Sequence, residues 1–402
     1  MIDSELLNCY NIILVRYSGE IWLKSSKVKI RMIKTLITNI KKILERENIS
    51  YVKYQLSKDF ARILFFFKKA ELSKVIDIFK KIFGIYSISP ALRTLSNMKN
   101  ISERTIDVAK IILNKGDKFA LRVKRSGKHN FSSQDVAKEI GQKIMNTFKN
   151  LNLKVDLTNP YKKIFIEIRN EFTYIFTKII ESDWEGLPIE YKKKIIVMDI
   201  GRSSDLLSGF LLMRRGCEIY PVLFDLTNNS NLIQDWIKNW KEIFLYMPFF
   251  KITLIKINLK EIINKVENQL QEKQYLCGIC RMVRFDIISK LFKDSGKNIK
   301  AFTDGINFNN ISYCNDNVDL RSISINHNFS NYPIFTPLVG LESNKIHEFL
   351  GKVSKNLIKL NYCNFKPKDQ QFNSDILINT YKSLNIRDII LNEINNLEEI
   401  TI

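Results

Sequence analysis

The sequence predicts an α/β protein in three parts. A small ferredoxin-like α+β unit comes first, a second α+β unit follows, and a doubly wound parallel sheet closes the chain. Three observations predict this. The first 84 residues read strand, helix, strand, helix. A turn-rich joint, Trp184-Glu185-Gly186-Leu187-Pro188, then interrupts the pattern. From Lys192 onward, apolar strands and helices alternate, as a parallel sheet with crossover helices requires.

Residues 11–16 (NIILVR) and 61–67 (ARILFFF) are apolar runs of strand length. Between them, residues 27–48 place apolar side chains at helical spacing with Lys and Arg opposite. Residues 71–84 (ELSKVIDIFKKIFG) make a second amphipathic helix that stops at Gly84. This order suggests a ferredoxin-like unit over residues 1–80. The second unit, residues 81–184, reads as a helix at 101–114, a strand at 118–125 and a long helix at 132–148. Ser132 or Ser133 can cap that helix. Strands follow at 155–157, 164–168 and 172–179. In the third part, residues 190–402, a strand at 195–198 runs through a Gly/Ser turn into a helix at 206–214. A second strand follows at 219–224. Met198, Phe224 and Thr303 lie near strand ends, where such sheets bind ligands.

The chain has 402 residues, room for several cores, and a formal charge of +21. Such a field draws polyanions, with nucleic acid the first candidate and an anionic membrane the second. AT-rich coding would also favour Lys. No apolar run of about 18 residues and no basic-then-apolar leader occurs, so a cytoplasmic protein without a membrane partner is expected. The N-terminal MIDSELLNCYNIILVRY reads as a first strand rather than a signal peptide. Six cysteines in a chain of this length do not make a disulfide framework, and three histidines are too few for a histidine-based metal site.

Three sets of residues carry chemistry. The turn Ile200-Gly201-Arg202-Ser203-Ser204-Asp205 leads from a strand into a helix N-terminus, whose free N–H groups favour phosphate. Cys277-Gly278-Ile279-Cys280 is a CxxC pair. Its thiolates can share a metal or cluster with Cys363 as third ligand. It also reads as a redox pair or persulfide relay, as a zinc site completed by Cys314, or as plain thiols on a helix turn. Cys217, beside Gly216 at a helix–strand junction, reads as a core residue. Lys24, Lys27, Lys29 and Arg31 crowd one helix start, and Lys124, Arg125, Lys128 and His129 crowd a loop. Both groups suit a phosphate backbone or a solvated face.

Several segments together resemble the tRNA 4-thiouridine synthetases (tRNA sulfurtransferases). RYSGEIWLKSSKVKIRMI is similar to that family's opening strand and basic helix. LRVKRSGKHNFSSQDVAKEIGQKI is similar to its THUMP core, and WEGLP to its interdomain joint. SGFLLMRRGCEIYPVLFD resembles the nucleotide-domain helix and second strand. NYPIFTPLVGLESNKI resembles the N-x-P-x-x-R-P-L segment, and NYCNFKPKD the segment of the catalytic cysteine. The resemblance implies a THUMP domain over 81–184 and an ATP pyrophosphatase domain over 190–402. It implies ATP-dependent adenylation of a tRNA uridine, then sulfur transfer to give 4-thiouridine. ATP and Mg²⁺ are the implied cofactors. Some family members hold a three-cysteine iron–sulfur cluster, which would fall on Cys277, Cys280 and Cys363.

Carried onto this sequence, the nucleotide site falls on Met198, Asp199, Gly201, Arg202, Ser203, Ser204, Leu223, Phe224, Arg281 and Gly305. Cys363 and Asp205 fall in catalytic positions. The tRNA-binding groups are Lys24, Lys27, Lys29, Arg31, Lys124, Arg125 and Lys128. The implied partners are tRNA and a sulfur donor, either free sulfide or a cysteine desulfurase persulfide, with a homodimer allowed. With the sequence ending at Ile402, no rhodanese domain is expected. Departures are concentrated in the loop. The family's S-G-G-x-D-S is IGRSSD here, its T-G-E is Asp304-Gly305-Ile306, and its R-P-L arginine is Thr336. Arg202 replaces a glycine, so its side chain either crowds the phosphate or adds a cation to it. The competing readings are a tRNA-binding paralogue without ATP chemistry, which the loop favours, and sulfur donation for thiamine thiazole.

Overall fold

A computed structural model describes residues 4–57, 60–68, 71–293, 298–307, 332–360, 363–365, 367 and 373–402. They form two compact units, Met1–Leu187 and Pro188–Ile402. The split falls inside the predicted Trp184–Pro188 joint.

The first unit runs α1 (Ser4–Cys9), β1 (Ile12–Tyr17), α2 (Gly19–Trp22), α3 (Ser26–Arg46), β2 (Tyr51–Leu56), β3 (Ile63–Phe67), α4 (Leu72–Lys80) and β4 (Ile85–Leu95). It continues with α5 (Met98–Ile112), β5 (Lys118–Ser126), α6 (Ser133–Thr147), β6 (Lys154–Val155), β7 (Lys162–Arg169), β8 (Phe172–Phe176) and β9 (Ile180–Glu181). The N-terminus, read as strand throughout, begins with the short helix α1. In α3 the apolar stripe Met32, Ile33, Leu36, Ile37, Ile40, Ile43 and Leu44 is buried, which is the i, i+3, i+4, i+7 spacing. Ser132 caps α6 in a reciprocal box, Asp135 N donating to Ser132 Oγ at 3.1 Å and Ser132 N to Asp135 Oδ2 at 2.8 Å.

A boundary near residue 80 is not a break in the structure. Among the described residues one nine-stranded sheet, ordered β2-β3-β1-β4-β8-β7-β5-β6 with β9 on β4, crosses it. Strand β4 is shared: Ile85–Ala91 pairs antiparallel with β1, and Leu92–Leu95 with β8. Its sequence, IYSISPALRTL, escaped notice because Pro90 argues against a central strand. That proline lies next to the point where β4 exchanges one neighbour for the other. Strand β2 was also missed. It is an edge strand with four exposed residues and so lacks a buried apolar signature. The joint is tied back to its own unit. Ser18 Oγ donates to Gly186 O at 2.7 Å, and Gly84 N to Glu185 O at 2.9 Å.

On one face of the sheet Ile12, Leu14, Leu64, Phe66, Tyr174 and Phe176 form a small apolar cluster. Beside it, Glu167 is 4 % exposed and bonds three guanidinium groups, Arg16, Arg62 and Arg169. Arg16 lies on β1 and Glu167 on β7, so this knot joins the two halves of the sheet.

The second unit runs β10 (Glu190–Asp199), α7 (Ser203–Arg214), β11 (Cys217–Asp225), α8 (Ser230–Phe244), β12 (Thr253–Asn258), α9 (Lys260–Gln269), α10 (Leu276–Lys293) and β13 (Ile299–Thr303). Then come β14 (Ile334–Phe335), α11 (Ser343–Val353), α12 (Ser374–Ser383), α13 (Arg387–Asn395) and β15 (Glu398–Thr401). The sheet order is β14-β13-β10-β11-β12-β15, parallel except for β15 against β12. This is the expected doubly wound architecture. Among the described residues no helix is long and apolar enough to cross a membrane.

Candidate nucleotide and thiol site

The site forms where β10 ends and α7 begins. Gly201 turns the chain at φ 77°, a left-handed conformation that suits glycine. Arg202 is the N-cap in extended conformation, and its side chain makes no capping bond. The turn's own N–H groups are largely consumed. Asp199 Oδ1 accepts from Gly201 N at 2.6 Å, and Asp205 Oδ2 from Ile200 N at 3.2 Å. Asp199 Oδ2 also accepts two indole N–H bonds, from Trp236 at 2.6 Å and Trp240 at 2.9 Å. Those indoles were not predicted as site residues. Their i, i+4 spacing on α8 sets them on one face, and a buried indole N–H needs an acceptor.

Asp205 is fully buried, and its other oxygen, Oδ1, accepts from Gly305 N at 2.8 Å. A Cβ on Gly305 would come within 2.4 Å of Asp205 N, so only glycine lets this loop approach so closely. Burial, then the Asp199 charge, push the Asp205 carboxyl up to about 8. Burial also raises Asp199, against its indole donors. Asp205 is therefore a positional group that locks the loop after β13 onto α7. Its carboxyl is not exposed to a ligand as the catalytic position implied.

The remaining nucleotide residues divide in two. Met198, Leu223 and Phe224 are fully buried and belong to the β10–β11–β12 ladder, so they form a floor. Arg281 is 3 % exposed and its charge pairs with Asp304 at 2.9 Å. Arg202 and Ser203 instead line an open cleft of about 510 Å³. Its far wall comes from α11 and the residues after it, which sequence reading did not single out. The buried Ser204 Oγ has no hydrogen-bond partner among the described residues. The carboxylates here do not fit a Mg²⁺ site: Asp199, Asp205 and Asp304 are committed to protein donors.

Cys277 and Cys280 sit in the first turns of α10, three residues apart and so on one face. Gly278 between them is held to glycine by Leu377, whose side chain would meet a Cβ at 2.6 Å. Cys277, Cys280 and Cys363 are all half-buried and pack against the same apolar cluster. Among the described residues no three His, Cys, Asp or Glu side chains gather as a metal requires, so the expected convergence on one ion or cluster is not met. A helix turn supplies two thiols on one face, and the third lies on a different segment. Residues 361–362, 366 and 368–369 of that segment, like Cys314, lie outside the described residues. Cys217 is buried, as expected, and burial pushes its thiol up.

In the first unit Lys24, Lys27, Arg31, Lys124, Arg125 and Lys128 are exposed, and Lys29 is half-buried with Nζ 4.2 Å from the Trp22 ring centroid. Trp22 and Leu23 are themselves exposed beside this group. The loop with Lys128 borders a cleft of about 820 Å³ that His129, Phe131 and Asn170 also line. Exposed cations next to exposed rings are a surface suited to nucleic acid.

Comparison with known proteins accounts for this arrangement. Three family models match in chain order: the ThiI ferredoxin-like domain over residues 12–89, the THUMP domain over 96–178, and Thiamine biosynthesis protein (ThiI) over 197–375. A probable tRNA sulfurtransferase of Methanobrevibacter smithii is 27% identical over 378 residues, covering 91% of this chain and 93% of its own. Another, of Saccharolobus islandicus, is 27% identical over 364 residues, covering 89% and 91%. The crystal structure of a 4-thiouridine synthetase–RNA complex with bound ATP gives a TM-score of 0.80 at 20% identity, over 98% of this chain and 100% of that one. A crystal structure from Pyrococcus horikoshii gives 0.64 at 24%, over 85% and 99%. At these identities the two structures establish the fold. The chain is therefore a THUMP protein with a ThiI-type C-terminal domain. Over about nine-tenths of its length it is similar to the tRNA sulfurtransferases, with the three matched domains in order.

Proposed function

We propose that this protein converts a uridine of tRNA to 4-thiouridine. The carrying observation is the alignment with the Methanobrevibacter relative, which spans both the RNA-binding and the nucleotide halves. In the first step the uridine O4 attacks the α-phosphate of ATP and pyrophosphate leaves. In the second, sulfur attacks C4 and AMP leaves. The basic groups of the first unit hold the RNA backbone. The α7 N-terminus favours the phosphate charge. Mg²⁺ would have to arrive on the nucleotide's own phosphates, since the carboxylates here are committed to protein donors, and no step is routed through it. Cys363 carries the reacting sulfur as a persulfide charged by a cysteine desulfurase. Its outer sulfur displaces AMP at C4. An external thiol then cleaves the bond to Cys363, releasing the 4-thiouridine and leaving a disulfide on Cys363 that a further thiol reduces. Free sulfide, as the other donor, would displace AMP directly without passing through Cys363. Among the described residues no three thiols gather to hold an iron–sulfur cluster, and no step here passes through one. This reading implies a cytoplasmic protein, alongside its tRNA.

The test uses the full chain with tRNA, ATP, Mg²⁺ and, as separate donors, a cysteine desulfurase with cysteine or free sulfide, followed by nucleoside analysis. We expect 4-thiouridine that depends on ATP. A protein that binds tRNA but leaves it unmodified with every donor is instead an RNA-binding paralogue. That second reading is favoured only by the consumed N–H groups of the turn.

Binding itself should depend on salt. If the protein neutralises about six phosphates, affinity should fall by roughly 10³-fold between 50 and 200 mM salt. Replacing Lys124, Arg125 and Lys128 by Ala should flatten that slope by about three. A slope unchanged by the triple replacement would move the RNA surface elsewhere.

A further inference from the structure

We propose that the polyphosphate of the nucleotide is held by side-chain cations in the cleft beside the α7 N-terminus, chiefly Arg202, Lys355 and Lys359. This deepens the functional reading above and rests on it.

The argument starts from what the turn can no longer offer. A glycine-rich phosphate loop works through unspent backbone N–H groups. Here Gly201 N and Ile200 N are spent on Asp199 and Asp205. The inner side of the turn is also filled, because Gly305 packs directly onto Asp205. A phosphate chain therefore has to reach the α7 N-terminus from its outer side, and that side is the cleft of about 510 Å³.

The cleft has the chemistry for it. Its lining carries Arg202, His347, Lys355 and Lys359, and no Asp or Glu. Arg202, the N-cap residue of α7, lines the cleft and brings a cation to it. The opposite wall is braced. Asn239, 4 % exposed on α8, clamps Ile358 by two bonds: Asn239 Nδ2 donates to Ile358 O at 2.8 Å, and Ile358 N donates to Asn239 Oδ1 at 2.7 Å. Tyr246 OH donates to Val353 O at 2.8 Å, and Ser354 Oγ to Glu242 Oε2 at 2.7 Å. The segment bearing Lys355 and Lys359 is thus fixed to α8, the helix whose two indoles also hold Asp199. Glu242 on α8 is engaged by Ser354 and Asn356. Cations on a braced wall share this cleft with the N-terminal residues of α7. The arginine that erodes the glycine motif supplies, in this reading, the charge that the loop has lost.

The test is calorimetry of the full chain with inorganic pyrophosphate, ATP and adenosine as separate probes. Wild type should bind pyrophosphate and ATP. Lys355→Ala and Lys359→Ala should each weaken both by about tenfold, the loss of one charge-assisted bond. Adenosine binding and tRNA binding should be unchanged. Lys359→Arg should restore affinity, which separates charge from folding, and thermal midpoints check the fold of each variant. Arg202→Gly should weaken pyrophosphate binding in the same way. Pyrophosphate affinity equal to wild type in all three charge-removing variants overturns the proposal. So does loss of tRNA binding with pyrophosphate binding intact, which would make the cleft an RNA contact. Thiolation does not enter this readout. Variant-specific loss of pyrophosphate binding with no thiolation in wild type would sink the functional reading and leave the cleft standing.

Discussion

With a cysteine desulfurase as donor, Cys363→Ser is expected to reduce 4-thiouridine formation to background while leaving tRNA affinity unchanged. Transfer needs a sulfur atom that can leave its carrier, and serine cannot form a persulfide. Cys363 is half-buried against the apolar cluster that also receives Cys277 and Cys280. Cys217→Ser provides the contrast. Its thiol is buried and pushed up by burial, a poor nucleophile, so replacement should cost about 1–3 kcal/mol of stability and little chemistry. Cys277→Ser and Cys280→Ser sort the remaining roles. Loss of thiolation in these two, with Cys363→Ser still active, would place the reacting sulfur on the α10 pair. Nucleoside analysis and filter binding on the same preparations read both quantities.

Glu167→Ala should destabilise the first unit by about 3–5 kcal/mol, the cost of removing one member of a buried ionic cluster. Three guanidinium groups, each less than one-fifth exposed, would be left to repel one another. In a unit of this size the thermal midpoint should fall by roughly 10 °C. Glu167→Gln keeps an acceptor and should cost less. Acid gives an independent reading. Burial raises the Glu167 carboxyl, but the charges of Arg62, Arg169 and Arg16 outweigh it and hold the group below the ordinary range. A depressed carboxyl contributes stability above its unfolded value, roughly 4.3, and loses it as pH falls through the folded value. The gap between wild type and Glu167→Gln should therefore narrow as pH drops from about 5. Variants that melt within about 0.5 kcal/mol of wild type would mean that the cluster is as weak as a surface pair.

Much of the fold was legible because it follows apolar periodicity. The stripe of α3, the capping box at Ser132 and the strand–turn–helix at residues 195–214 all stand at or near the positions that pattern and cap chemistry indicate. Strands β2 and β4 were not legible, one because an edge buries little and the other because Pro90 masks a central strand. The site was legible in place more than in detail. The loop at residues 200–205 does start a helix at the end of a parallel strand. Sequence spacing could not show that Asp205 turns inward to meet Gly305, a contact across 100 positions of chain. Nor could it show that Arg281 is spent on Asp304. Lys355 and Lys359 carry no motif, and only the packing of α11 beside α7 brings them to the loop.

Strand β4 has a mechanical consequence. Eleven residues of extended chain span about 36 Å, and the same strand is hydrogen-bonded to one small domain at its start and to the other at its end. No hinge can operate between the two without breaking a ladder. The basic helix start on one side and the basic loop on the other are therefore fixed points on a single gauge. An RNA that presents its phosphates at another spacing meets a tool that does not adjust. If these groups hold the RNA as proposed, selection among RNAs depends on the length and curvature of the folded molecule.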